Sequence, residues 1–264
     1  MDHSLIEQSY VSTGRRGICD KCRRVFIFDY GGTLLYSEKQ EIYIKQSLSA
    51  ISGRKPSPSV MQALRTLCED PNNAVMVVTG LTKMKLGDTF RDFPNLTIVT
   101  SNGLVYSWGE NMKEDAIDEA LREPDTGSGV MEGIGADSTG RMWGCLDFNI
   151  DWQAVRAIAN PIITKYTYRT NGTCQSPRIP GIGWSYFGAD PDWGSKQVKV
   201  LTVELEAALA NYDVKIVSQI QGSIEIVPSA LNKGIFVKKF LRRVLEERGG
   251  QFPPFCLIVG DEVG

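Results

Sequence analysis

Histidine is nearly missing from this chain: the 264 residues hold one, His3. Cysteine is sparse too, six in all, and Cys68, Cys145, Cys174 and Cys256 are scattered without metal-ligand spacing. That density excludes a disulfide scaffold. Only Cys19-Asp20-Lys21-Cys22 has the spacing of a zinc ligand pair, and a structural zinc site needs two more ligands where the lone histidine is His3. An excess of positive charge is also absent, since 29 Lys and Arg stand against 31 Asp and Glu for a formal charge of −2. No basic field is available to hold a nucleic acid backbone. No apolar run approaches the about 20 residues that cross a bilayer, and Met1-Asp2-His3-Ser4 lacks the charged-then-apolar start of a signal peptide. The expectation is a soluble cytoplasmic protein with neither nucleic acid nor membrane as a partner. The sequons at Asn95 and Asn171 matter only in a secreted chain.

What is present is ordinary globular composition, 42% hydrophobic, with room for one large domain or two modest ones. Arg24 to Asp29 is a continuous apolar run that ends in an acid and then Gly31-Gly32, the pattern of a strand buried on both faces. Similar runs occur at Ala74 to Val78, Leu96 to Val99 and Phe255 to Val259. Ser57-Pro58-Ser59 reads as a helix cap with Pro at the first helical position, followed by Val60, Met61, Leu64, Leu67 and Cys68 at helical spacing. Strands separated by such a helix form βαβ units.

From about Trp108 to Val227 the pattern changes. A Gly-rich acidic stretch runs to Gly140, a helix starts near Trp152, and strands are expected near Lys165 to Thr170 and Gly183 to Phe187. The helical period returns in Val198, Leu201, Leu205, Ala208 and Leu209, before two strands, Val214 to Ile220 and Ser223 to Val227, joined by a turn at Gln221-Gly222. A helix capped at Asn232 then carries Phe236, Phe240 and Val244. The expected fold is therefore α/β: a Rossmann-like parallel sheet, residues 22–107 and 228–264, carrying an inserted αββαββ cap at 108–227, with 1–21 as a linker.

The chemistry concentrates at strand ends. Asp29 closes the first strand, where open α/β sheets bind ligands, and the glycines after it let backbone approach an anion. Asp before Gly is also common turn chemistry. Three further strand ends strengthen the functional reading: Thr79-Gly80 offers a hydroxyl and free backbone N–H, Lys233 opens the late helix, and Gly260-Asp261-Glu262 ends the last strand in two acids. Nucleophile, hydroxyl, lysine and magnesium-binding acid, in that order, form a constellation for phosphoryl transfer through an aspartyl phosphate.

On these residues the chain resembles the haloacid dehalogenase superfamily and, within it, the trehalose-6-phosphate phosphatase family, including the phosphatase-like C-terminal domains of trehalose-phosphate synthases. The resemblance runs from Arg24 to Gly264. It rests on Phe28 to Leu34, Cys68 to Asn73 leading into Val77-Val78-Thr79-Gly80, Tyr166 to Thr170, Trp184 to Gly194, Ile224 to Pro228, Asn232-Lys233-Gly234 and Gly260-Asp261-Glu262. The Trp184 to Gly194 stretch is the most specific, and Asp2 to Tyr10 looks like the linker behind a synthase domain. The resemblance implies Asp29 as nucleophile, Thr79 and Lys233 as holders of the phosphoryl oxygens, and Asp29 with Asp261 as ligands of Mg2+. It further implies Arg178 and Glu225 as sugar-binding residues, trehalose-6-phosphate or a related sugar phosphate as ligand, and a trehalose-phosphate synthase domain or subunit as partner.

The departures from the family pattern are chemical. The acid/base aspartate two residues after the nucleophile is Gly31 here, which can neither protonate a leaving oxygen nor activate water. The arginine after the Thr-Gly pair is Leu81, the acid of the later turn is Ser101, and the first carboxylate of the sugar-reading set is Ser176. Two functions of different class therefore compete: a magnesium-dependent phosphatase impaired at Gly31, and a non-catalytic regulatory or scaffolding domain of trehalose synthesis. Bland alternatives stand beside the site residues. Glu225 between Ile224 and Ile226 fits the solvent face of a strand, Lys233 fits a plain first-turn residue, and Trp184, Tyr186 and Trp193 fit cap core. The run Lys238-Lys239 and Arg242-Arg243 fits a solvated helix face. A sheet edge left open after Val259 is a poor natural terminus, so a fragment of a longer chain is expected.

Overall fold

The computed structural model describes residues 24–35, 55–86, 88–112, 135–177, 181–219, 222–247, 249–250 and 252–260. These divide into two compact units, one within residues 1–124, 135–145 and 232–264, the other within 125–134 and 146–231.

The first unit is built on β1 (Arg24–Asp29), β2 (Asn73–Val78), β3 (Leu96–Thr100), β4 (Val105–Ser107), β5 (Gly135–Ala136), β6 (Met142–Cys145) and β11 (Cys256–Val259). The apolar runs of β2 and β3 are continuous because both faces of these central strands are covered. They form one sheet in the order β11-β1-β2-β3-β4-β6-β5. The first four strands of that order are parallel, with Phe28 opposite Val259, Asp29 opposite Val78 and Val78 opposite Val99. Their C-terminal ends therefore finish in one row, where a crossover sheet collects its ligand-binding loops. Between β1 and β2 lies α1 (Pro58–Glu69), capped by Ser57 and buried through Leu64 and Cys68. Four residues, α2 (Lys83–Leu86), follow β2.

The sheet is mixed rather than wholly parallel, and it is larger than expected. Residues 135–145, which fall inside the expected cap at 108–227, contribute β6, which pairs antiparallel with β4 through Val105 to Cys145 and Tyr106 to Gly144. Gly144 permits this because a Cβ there would stand 2.9 Å from the Tyr106 ring. Arg141 fastens the hairpin, its guanidinium donating to the Leu96 carbonyl at 2.8 Å and to the Phe93 carbonyl.

The late helix, α5 (Lys233–Glu247), buries Phe236, Phe240 and Val244 completely, and Asn232 Oδ1 accepts from Ile235 N at 3.2 Å. Its charge run is only half solvated. Lys238 and Arg242 are exposed, whereas Lys239 lies 4.7 Å from the Tyr106 ring centre and Arg243, 7% exposed, 4.9 Å from that of Trp108. Cations on aromatic faces explain why these two positions tolerate burial. Strand β11 was expected to be buried, but it sits at the edge of the described sheet, with Ile258 60% exposed.

The second unit runs α3 (Trp152–Arg169), β7 (Cys174–Pro177), β8 (Ile182–Ser185), α4 (Pro191–Ala208), β9 (Val214–Gln219) and β10 (Ser223–Pro228). Its antiparallel sheet has the order β7-β8-β10-β9. Val155, Ala159, Ile163 and Tyr166 of α3 meet Leu201 and Leu205 of α4 over Ile182, Trp184, Ile224 and Ile226. That register corrects the strand expected at Lys165 to Thr170. Tyr166 continues the helical spacing of Ile163 and is buried, so the β-branched and aromatic residues there are the last turn of α3. Trp184 is core as expected, but Trp193 is 48% exposed. No helix among the described residues is long and apolar enough to cross a membrane.

Candidate functional site

Asp29 ends β1, and its side chain is 13% exposed. Its Oδ1 accepts from Tyr30 N at 2.8 Å, and its Oδ2 receives Lys233 Nζ at 3.1 Å, from a residue 204 positions along the chain. Lys233 opens α5 and its side chain is 34% exposed, so the ammonium is reachable by a ligand.

Thr79 lies one residue past the register partner of Asp29 on the neighbouring strand. It is 2% exposed. Its backbone N–H donates to Val99 O at 2.9 Å and its Oγ1 accepts from Leu81 N at 3.1 Å. An accepting hydroxyl keeps its own proton for a further acceptor such as a phosphoryl oxygen. Gly260 follows β11 on the other side of β1, where a Cβ would lie 3.8 Å from Asp29 Cβ. Asp261 is next in sequence and lies outside the described residues.

The loop after Asp29 is pinned from below. Tyr30 is 1% exposed, its ring meets Phe90 edge-on at 5.7 Å, and burial raises the phenol pKa against a hydrogen bond with Thr89 that lowers it. Tyr30 N also donates to Val78 O at 3.2 Å, and Leu34 and Leu35 donate back to Tyr30 O. Gly32 has φ 74, a conformation that favours glycine, whereas Gly31 is not among the positive-φ residues. A Cβ at Gly31 would meet nothing within 4 Å. Backbone geometry therefore gives no reason for the glycine at the acid/base position.

In the second unit Glu225 is half-buried between Ile224 and Ile226, both 1% exposed against the helices, so its side chain lies on the opposite face of the sheet. The strand register carries Ser176, Gly183, Glu225 and Val217 across that sheet in one row. The position where the family pattern has a carboxylate and the glutamate that remains are thus row-mates. Arg178 lies outside the described residues, as does the linker 1–21.

A divalent cation of the hard type takes oxygen donors, commonly one or two carboxylates together with substrate phosphate. Asp29 fits that chemistry as the described member of the pair with Asp261. No group of three or more His, Cys, Asp or Glu suited to a metal occurs among the described residues.

Sequence reasoning passed over Asn102, which sits on the short 3-10 turn Ser101–Gly103 after β3. Its N–H donates to Thr79 O at 3.0 Å. The signal available was Asn-Gly directly behind a buried strand, a pair that tolerates left-handed backbone.

A family model described as trehalose-phosphatase matches residues 27–264. The probable alpha,alpha-trehalose-phosphate synthase [UDP-forming] 10 of Arabidopsis thaliana is 29% identical over 257 residues, 97% of this chain and 24% of that protein. The trehalose-phosphatase of Schizosaccharomyces pombe is 25% identical over 221 residues, 84% of this chain and 21% of its own. The chain thus spans about a quarter of the length of these curated relatives. Among solved structures, the C. albicans trehalose-6-phosphate phosphatase C-terminal domain superposes with a TM-score of 0.60 at 22% identity, covering 98% of this chain and 74% of that one. At that identity the likeness establishes the α/β fold alone.

Proposed function

The chain belongs to the trehalose-phosphatase family, and from that premise we propose that it is a trehalose-6-phosphate phosphatase-like domain of trehalose biosynthesis whose turnover is impaired at Gly31. The observation that carries the reading is the 3.1 Å approach of Lys233 Nζ to Asp29 Oδ2 at the ends of two elements far apart in sequence. A carboxylate held beside an ammonium at a parallel strand end is suited to in-line attack on a phosphoryl group whose charge the lysine stabilises.

In the proposed reaction an Asp29 carboxylate oxygen bonds to phosphorus while the bond from phosphorus to the sugar oxygen breaks, its electron pair leaving on that oxygen, which takes a proton from solvent. Lys233 and the Thr79 hydroxyl hold the phosphoryl oxygens. Water then attacks the aspartyl phosphate, releases phosphate and restores Asp29. Asp29 and Asp261 would hold Mg2+, which when bound would supply charge neutralisation on the transferring group. Arg178 and Glu225 bind the sugar. Both halves of the reaction lack a proton donor and acceptor at residue 31, a contribution of ~100- to 10,000-fold per step.

The second reading is a regulatory or scaffolding domain that binds sugar phosphate, or a trehalose-phosphate synthase domain, without turnover. Gly31, with Leu81 and Ser176, favours it. Steady-state phosphate release from trehalose-6-phosphate with magnesium separates the two. Turnover of ~1 to 1,000 per second, the ordinary enzymatic range, refutes the regulatory reading. Absence of turnover together with absence of any bound sugar phosphate removes the phosphatase-like one.

A further inference from the structure

We propose that the loop Ser101-Asn102-Gly103 is a positioning wedge that spaces Lys233 from Thr79 and so sets the width of the phosphoryl-binding cleft. The inference rests on the phosphoryl-transfer reading of that cleft and adds residues that do not touch the reacting group.

The loop has an uncommon backbone. Ser101 and Asn102 carry φ 52 and 57, and Gly103 follows at φ 105. Two successive side-chain-bearing residues in the left-handed region persist only where the surroundings over-determine them. On one side the determinants belong to the Thr79 loop. Ser101 N donates to Leu81 O at 2.8 Å and Asn102 N to Thr79 O at 3.0 Å. Asn102 Oδ1 also stands 3.0 Å from the point a Cβ on residue 80 would occupy, so Gly80 leaves the room it fills.

On the other side the loop abuts the start of α5. A Cβ on Gly103 would lie 3.0 Å from Asn232 O and 3.7 Å from Lys233 Cα. The root is closed by Thr100 Oγ1, which donates to Val105 O at 3.2 Å. One face of the turn is thus bonded to the carrier of the hydroxyl, and the other is in contact with the backbone of the lysine. A spacer of this kind converts strain into a fixed separation between two donors, and hydrogen bonds to a phosphoryl group weaken steeply with displacement.

The test is a thermodynamic cycle on orthophosphate affinity of the full chain, read by titration calorimetry, with Gly103→Ala, Lys233→Met and the double variant. A wedge acting through Lys233 predicts that Gly103→Ala weakens orthophosphate at least tenfold, Lys233→Met does likewise, and the double variant is no worse than Lys233→Met alone within twofold. A turn that only supports the fold lowers stability in both backgrounds and multiplies its loss in the double variant, which overturns the proposal. So does Gly103→Ala that keeps affinity within twofold while Lys233→Met loses it, an outcome that leaves the phosphoryl-site reading standing. Wild-type chain that fails to bind orthophosphate at all sinks both. If Gly103→Ala does not fold, Asn102→Val, a β-branched residue at φ 57, takes its place in the cycle. Asn102→Gly is then the rescue, with a smaller loss than Asn102→Val.

Discussion

In the proposed reaction Gly31 stands where a proton donor and acceptor would act. Its Cβ position has no atom within 4 Å and its backbone is not left-handed, so a side chain can start there without a clash at its Cβ. Gly31→Asp is therefore expected to raise phosphate release ~100-fold or more, the low end of general acid–base assistance, in a steady-state assay with magnesium. Unchanged turnover in a folded variant would move the deficit to Leu81 and Ser176. A second residue-scale expectation concerns thiols. Burial pushes Cys68 up to about 12, with Arg141 and Arg65 opposing it and Glu69 reinforcing it, whereas Cys174 and Cys256 are exposed. Maleimide at pH 8 should label Cys174 and Cys256 in the native chain and Cys68 only after denaturant, as read by peptide mass spectrometry. Early labelling of Cys68 would contradict its place on the buried face of α1.

At the scale of elements, helix starts carry measurable weight. Asp190 Oδ1 accepts from Trp193 N at 2.8 Å with Pro191 following it, while Ser57 Oγ accepts from Val60 N at 3.4 Å. The shorter, charge-assisted bond is the stronger. Asp190→Ala should cost ~1 kcal/mol, within the usual range for a lost cap, and more than Ser57→Ala, both measured by urea unfolding. The reverse order would mean that the α4 start is held by packing rather than by its cap. Helix α3 shows how element type escapes local propensity. Tyr166, Thr167 and Tyr168 favour a strand taken alone, but Tyr166 extends the buried stripe of Ile163 and its hydroxyl donates to Glu204 Oε2 at 2.8 Å on α4. Lys165 closes the same carboxylate as an ion pair. Packing against α4 outweighs propensity.

For the molecule as a whole, the hairpin of β5 and β6 makes part of the stability of the first unit depend on acid. Burial opposes the charge of Asp137, but hydrogen bonds from Thr139, Trp143 and Arg141 outweigh it and hold the carboxyl at about 2, below its ordinary 3.8. The folded state thus binds the proton less readily than the unfolded chain. The resulting stabilisation is present above about pH 4 and lost as pH falls towards 2. Lys83, stacked 4.8 Å from the Trp143 ring centre, adds a cation near the same carboxylate. Thermal unfolding midpoints of the wild type should fall between pH 4 and pH 2 more steeply than those of Asp137→Asn. Parallel curves would place the acid sensitivity elsewhere.

Burial within a short segment is written into local periodicity. For that reason the apolar runs of β1, β2 and β3, the Ser57 cap, the helix behind Asn232 and the acid at the end of β1 were legible from residues alone. Family membership was legible too, because its motifs are local strings. Tertiary structure decided what depends on partners distant in sequence. It joined Lys233 to Asp29 across 204 positions, attached residues 135–145 to the larger sheet through Gly144 and Arg141, and turned half of a basic stripe onto Tyr106 and Trp108. It also set Ser101, Asn102 and Gly103 in left-handed backbone between the Thr79 loop and the start of α5. No local pattern encodes such outcomes, since each is the minimum of contacts contributed by several segments and none of those segments prefers it alone.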